Sequence, residues 1–141
     1  ERGDSPMGRN AATRCMLSAL VLTLAACSSG SKQAAVNPNL YPVDYKREIL
    51  AAMRQLLADP TQVRDAFISD PVLTPVDKDQ RYALCLRANA RDAKGQYTGS
   101  ADSIAYFYGG HLNLFVRAKG DECSKAAYKP FPELEKLTFS R

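Results

Sequence analysis

The sequence predicts an α+β domain: an N-terminal helix packed on a three- to four-stranded antiparallel sheet, then a short C-terminal helix or turn. Three observations carry this expectation. Tyr45, Ile49, Met53, Leu56 and Leu57 recur at helical spacing, which gives an α-helix one apolar stripe. Arg81 to Arg91 alternates with period two, Tyr82, Leu84, Leu86 and Ala88 against Arg81, Ala83, Cys85, Arg87 and Asn89, the pattern of a half-buried strand. Gly109-Gly110 separates two further apolar runs, a two-residue hairpin signal.

Each element has a local reason. Asp44 precedes the helical stripe and is placed to accept first-turn amides as N-cap. Asp59-Pro60 ends the helix, because proline lacks an amide and biases its predecessor out of the α region. Thr61 to Ala66 reads as one further turn. Phe67 to Leu73 reads as a short strand broken at Asp70-Pro71, where the proline marks an edge or a bend. The Arg81 to Arg91 strand leads into Asp92-Ala93-Lys94-Gly95, a turn with a glycine free to take positive φ. Ser103 to Tyr108 and Leu112 to Ala118 form the hairpin arms, with Leu112, Leu114 and Val116 expected on one face. Asp121 to Tyr128 is a short helix or turn. Pro130-Phe131-Pro132 enforces an extended tail from which Phe131, Leu134 and Leu137 pack back on the body.

Ahead of this domain lies a targeting pattern. Residues 1–6 precede Met7 and read as upstream sequence; their Arg2-Gly3-Asp4 is a chance tripeptide. Arg9 and Arg14 form a basic stretch, and Met16 to Leu24 an apolar run too short to span a bilayer, which takes about 20 residues. Leu24-Ala25-Ala26-Cys27, followed by Ser28-Ser29-Gly30-Ser31, resembles the lipobox of bacterial lipoproteins. The resemblance implies cleavage before Cys27 and lipidation of its thiol. It divides the chain into upstream residues and signal peptide at 1–26, a lipidated cysteine with a flexible tether at 27–39, and one periplasmic domain at 40–141. Several acyl chains on one cysteine make attachment durable, where a single chain is marginal. Ser28, in place of an aspartate, favours the outer membrane over the inner.

The chain carries four cysteines, one histidine and a formal net charge of +4. That charge is too mild and scattered to indicate nucleic acid. With Cys15 in the signal and Cys27 lipidated, Cys85 and Cys123 form an even pair in an oxidising compartment and read as one disulfide. Free thiols and a metal site are the alternatives, the latter short of ligands. Closing this loop stabilises by roughly 4 kcal/mol in the chain-entropy picture.

Two further stretches carry a resemblance. Leu57-Ala58-Asp59-Pro60-Thr61 with Arg64, and Cys85-Leu86-Arg87-Ala88-Asn89-Ala90-Arg91 continuing to Gly95-Gln96-Tyr97-Thr98-Gly99, are similar to small exported bacterial domains. Tyr128-Lys129-Pro130-Phe131-Pro132-Glu133-Leu134-Glu135 resembles the tail of small alphaproteobacterial outer-membrane lipoproteins. The resemblance covers most of residues 40–137. It implies the fold and the address, and it carries over no catalytic residue.

The candidate sites follow from residue chemistry. His111 lacks a nameable nucleophile and orienting partner. Asp77 and Asp79 lack the spacing of a calcium loop. Arg47, Arg54, Arg64, Arg87 and Arg91 suit either a solvated face or anionic headgroups. Arg87, Asn89, Arg91, Tyr97, Tyr106 and Tyr108 make the candidate binding surface, since tyrosine combines an apolar ring with a polar tip. A structural role, with Asn89 holding the 92–95 turn, stands beside that reading. The sequence therefore predicts a non-enzymatic lipoprotein on the periplasmic face of the outer membrane. Its partners are the membrane, through lipid, and another envelope protein; cofactor, metal and nucleic acid are not expected. A scaffold or assembly role is the first expectation, by architectural analogy with the small lipoprotein of the barrel-assembly machine. An inhibitor or ligand-binding module, such as a lysozyme inhibitor, is the second.

Overall fold

A computed structural model describes residues 35–139. The lipobox, Cys15, Cys27 and most of the tether lie outside the described residues. The order is α1 (Tyr45–Leu56), β1 (Asp59–Ile68), β2 (Val72–Val76), β3 (Asp79–Arg91), β4 (Ala101–Tyr108), β5 (His111–Arg117), β6 (Lys129–Pro130) and α2 (Pro132–Glu135). The strands form one six-stranded sheet in the order β5-β4-β3-β1-β6, with β2 also on β3. Every pairing is antiparallel.

This corrects the expected sheet of three to four strands. The largest error falls on residues 59–66, expected as a helix end and a further turn and found in β1 (Asp59–Ile68), whose last two residues, Phe67 and Ile68, match the expected strand. Its buried residues are Pro60, Val63, Ala66 and Ile68, a spacing that imitates a helix. Two register shifts against β3 cause it. Gln62 (φ 57°) and Asp65 (φ 51°) stand at those shifts in the left-handed region. Each extra residue of a bulge advances the side-chain phase by one. Left-handed backbone costs a non-glycine residue roughly 1–2 kcal/mol, so tertiary contacts must hold both in place.

β1 and β2 are two halves of one broken edge. β1 pairs with Leu86 to Arg91 of β3, and β2 pairs with Asp79 to Ala83. Between them, Ser69-Asp70-Pro71 leaves the ladder. The Ser69 amide still donates to the Cys85 carbonyl at 2.9 Å. The Cys85 amide donates back to Ser69 Oγ at 2.9 Å, so a hydroxyl replaces the missing carbonyl. β6, not anticipated, arises where the proline-rich tail lies along Phe67 and Ile68.

Both helices pack on one sheet face. Ile49 and Met53 of α1, Leu134 of α2, and Phe131 and Leu137 of the tail bury against Val63, Ile68, Leu84, Leu86, Ala105 and Phe107. The expected packing of Phe131, Leu134 and Leu137 is thus observed. Burying such side chains stabilises by about 1.5–3 kcal/mol each. Asp44 precedes α1 but makes no cap bond; its Oδ2 accepts from Arg47 Nη2 at 2.6 Å. Each helix instead reaches a strand through a carboxylate. Glu48 Oε2 accepts the Leu112 amide at 2.5 Å and Glu135 Oε1 the Ala66 amide at 3.0 Å.

The β4–β5 hairpin turns at Gly109-Gly110 as expected, but a register shift follows Tyr106. Leu112 and Phe115 consequently pack on the helix-side core, while Leu114 and Val116 are exposed. The expected common face for Leu112, Leu114 and Val116 is therefore corrected. Gly109 (φ 59°) is required by the approach of residues 36–38. A Cβ there would stand 2.5 Å from Val36 Cγ1, and its amide donates to the Pro38 carbonyl at 3.2 Å.

Candidate functional site, the open face of the sheet

Alternation along β3 sends Arg81, Ala83, Cys85, Arg87, Asn89 and Arg91 away from α1. The pairing of β3 with β4 sets Tyr106 opposite Ala83, Ile104 opposite Cys85 and Asp102 opposite Arg87. The six candidate residues, Arg87, Asn89, Arg91, Tyr97, Tyr106 and Tyr108, therefore share the face opposite the helices. They do not form one cluster; they divide into three groups along the strands.

The central group surrounds the disulfide. Cys85 and Cys123 are bonded, with Cα atoms 5.8 Å apart, and pin residues 119–126 over Ala83 and Ile104. Tyr106, Ala118, Ala126 and Tyr128 complete this small second core. Arg87 bonds Asp102 through both ends of its fork, Nε to Oδ1 at 2.7 Å and Nη2 to Oδ2 at 2.9 Å. The guanidinium lies 4.5 Å from the Tyr128 ring centre. Arg87 holds the Asp102 carboxyl below the usual carboxylate range, because the paired ion is favoured over the neutral acid. Burial foremost, then the neighbouring Asp102, pushes the Tyr128 phenol up to about 12. Arg87 is thus a saturated ion-pair partner.

The second group lies toward Tyr97. Asn89 Oδ1 accepts the Gly99 amide at 3.1 Å, whereas Asp92 Oδ1 accepts the amides of Lys94 and Gln96 at 2.8 and 2.9 Å. Asp92, and not Asn89, holds the 92–95 turn, which corrects that expectation. Arg91 Nη2 donates to Gln62 Oε1 at 2.6 Å, and Tyr97 Oη donates to the Gln62 carbonyl at the same distance. Arg64, opposite Asn89 in register, lies 4.2 Å from the Tyr97 ring centre, and Arg91 lies 5.1 Å from it. Spacing alone does not place Arg64 in the binding surface, because two bulges determine where it points.

The third group is apolar. Pairing runs Val72 to Ala83, Ala83 to Tyr106 and Tyr106 to Leu114, a row across four strands. Val72, Tyr108, Leu114 and Val116 are exposed, Val72 by 62%. Arg81 lies 5.3 Å from the Tyr108 ring centre and donates to Asn113 Oδ1 at 3.2 Å. A groove of about 370 Å³ separates this row from the stapled loop, lined by Val72, Thr74, Ala83, Ile104, Glu122 and Lys125 among others.

His111 is exposed, with Nδ1 3.0 Å from Glu48 Oε1, and belongs to the clip between α1 and β5. Among the described residues, no group of three or more His, Cys, Asp and Glu side chains is placed to hold a metal. No helix among them is long and apolar enough to cross a membrane. Comparison with protein-family models, curated proteins and solved structures finds no match for this chain.

Proposed function

We propose that this chain is a non-enzymatic, lipid-anchored envelope protein on the periplasmic face of the outer membrane. It works by protein contact through the open face of its sheet. The observation that carries the reading is the row Val72, Tyr106 and Leu114, with Tyr108 and Val116 beside it. Both helices bury the opposite face, yet several large apolar side chains stay in solvent on this one. Exposed apolar side chains gathered on one face, here Val72, Tyr108, Leu114 and Val116 beside the half-buried Tyr106, mark candidate interaction sites, and tyrosine is enriched in them. The Leu24-Ala25-Ala26-Cys27 pattern supports the anchor, and the Cys85–Cys123 bond suits an oxidising compartment.

Photo-cross-linking in cells tests the contact. A photoreactive residue at Leu114 is expected to yield a discrete adduct with an envelope protein, and one at Arg54, exposed on α1, none. Equal or absent adducts at the two positions would refute contact through this face. Cys27→Ser tests the anchor separately: the protein is expected to leave the membrane fraction, and retention there of a processed form would refute lipidation.

A further inference from the structure

We propose that Arg64, set against the Tyr97 ring, and the side-chain amide of Asn89, its register partner on β3, form a binding site for a phosphate group. The inference starts from an arginine that the fold positions without an anionic partner among the described residues. Gln62 and Asp65, both at positive φ, flank Val63 and Arg64 at the two register shifts of β1. Bulges of this kind re-aim side chains. Here they set the Arg64 guanidinium against one side of Tyr97, 4.2 Å from the ring centre. The bulge is held from the same cluster, since Tyr97 Oη and Arg91 Nη2 both donate to Gln62.

Three nearby carboxylates are bonded elsewhere. Asp102 takes both bonds of Arg87. Asp59 Oδ1 accepts from the Thr61 amide and hydroxyl, and its Oδ2 lies 3.9 Å from Arg91. Asp92 Oδ1 binds the turn amides. Asp65, next in the chain, forms no ion pair with Arg64. Among the described residues, Arg64 has no salt bridge and remains exposed.

The Arg64 guanidinium, 4.2 Å from the Tyr97 ring centre, carries the forked donors that grip an oxyanion in a two-pronged bond. Asn89 spends its oxygen on the Gly99 amide, which turns its NH2 group, two donors, away from that loop. Arg91 lies 5.1 Å from the same ring centre and is engaged by Gln62 and Asp59. A guanidinium with no salt bridge among the described residues and a neighbouring amide NH2 group suit a phosphate group with several acceptor oxygens. An anionic phospholipid headgroup and a free phosphate ester share that chemistry.

The test uses the full chain carrying Cys27→Ser, so that no acyl group contributes, and every variant shares the apolar run Met16 to Leu24, so that the comparison with Arg64→Ala is independent of the lipoprotein reading. Inorganic phosphate is titrated at constant ionic strength and followed by 15N NMR. Saturable shifts are expected at the Arg64 Nε–H, the Asn89 side-chain amide and Gln62. Arg64→Ala is expected to weaken binding about tenfold, the loss of one charge-assisted contact. Arg64→Lys, which keeps the charge and loses the fork, is expected to weaken it about threefold. A second arm measures sedimentation with phosphatidylcholine vesicles containing phosphatidylglycerol. Binding lost in Arg64→Ala assigns the phosphate to a headgroup; saturation in solution without Arg64-dependent vesicle binding assigns it to a soluble ester. Non-saturating shifts that Arg64→Ala leaves unchanged, without Arg64-dependent vesicle binding, would overturn the proposal. So would saturation by an acidic peptide with no response to phosphate.

Discussion

The Cys85 amide donates to the Ser69 hydroxyl at 2.9 Å, at the point where the broken edge of the sheet would otherwise leave that amide without a partner. Ser69 is buried, so water cannot easily replace it. Its own amide returns a bond to the Cys85 carbonyl, which makes one small side chain the bridge between β1 and β2.

Ser69→Ala is therefore expected to destabilise the protein by about 1–3 kcal/mol, the cost of a buried donor left unsatisfied. Urea unfolding should show a lower midpoint at unchanged slope. A shift within experimental error would show that the backbone closes the gap without the hydroxyl.

The same strand residue anchors the disulfide. Cys85 and Cys123 are 38 residues apart in sequence, and closing such a loop contributes about 4 kcal/mol by restricting the unfolded chain. The double variant Cys85→Ala/Cys123→Ala should lose a stabilisation of that order. Limited proteolysis should then cut first within residues 119–126, which the bond pins to the sheet. Unchanged resistance there would mean that Tyr128 and Ala126 hold the loop by packing alone.

Asp102 gives the fold a dependence on acid. Arg87 lowers its folded pKa below the unfolded value, which for aspartate is about 3.9. Above the unfolded value both states are ionised, and the pairing contributes fully. As pH falls below that value the unfolded chain binds the proton first, so stability declines until the folded pKa is passed. Denaturation midpoints measured downward from about pH 5 should fall more steeply in the parent than in Asp102→Asn. Identical slopes would show that the pair contributes nothing to acid sensitivity.

Much of the architecture is legible because it is periodic. The α1 stripe is local, as is the alternation of β3, which by spacing alone sorts Arg87, Asn89 and Arg91 onto one face. The elements that escape are those whose period is interrupted. In β1, bulges at Gln62 and Asp65 space the buried residues like a helix. In β5, the shift after Tyr106 moves Leu114 and Val116 into solvent, so the apolar row of the open face has no signature in the spacing. Arg64 illustrates the same limit: its residue type is plain, but its place over Tyr97 depends on backbone dihedrals.

By itself the sequence determined the helix, the two faces of β3, the hairpin turn at Gly109-Gly110, the pairing of Cys85 with Cys123 and the return of Phe131, Leu134 and Leu137 to the body. These follow from spacing, from glycine and proline, and from the parity of cysteines. Only the tertiary structure decided the six-strand count and the repair of its defects. The amides of Cys85, Ala66 and Leu112 take their acceptors from Ser69, Glu135 and Glu48, partners far away in sequence. Buried backbone donors must be satisfied from whatever the fold brings near, and that supply is set by three-dimensional packing rather than by local pattern.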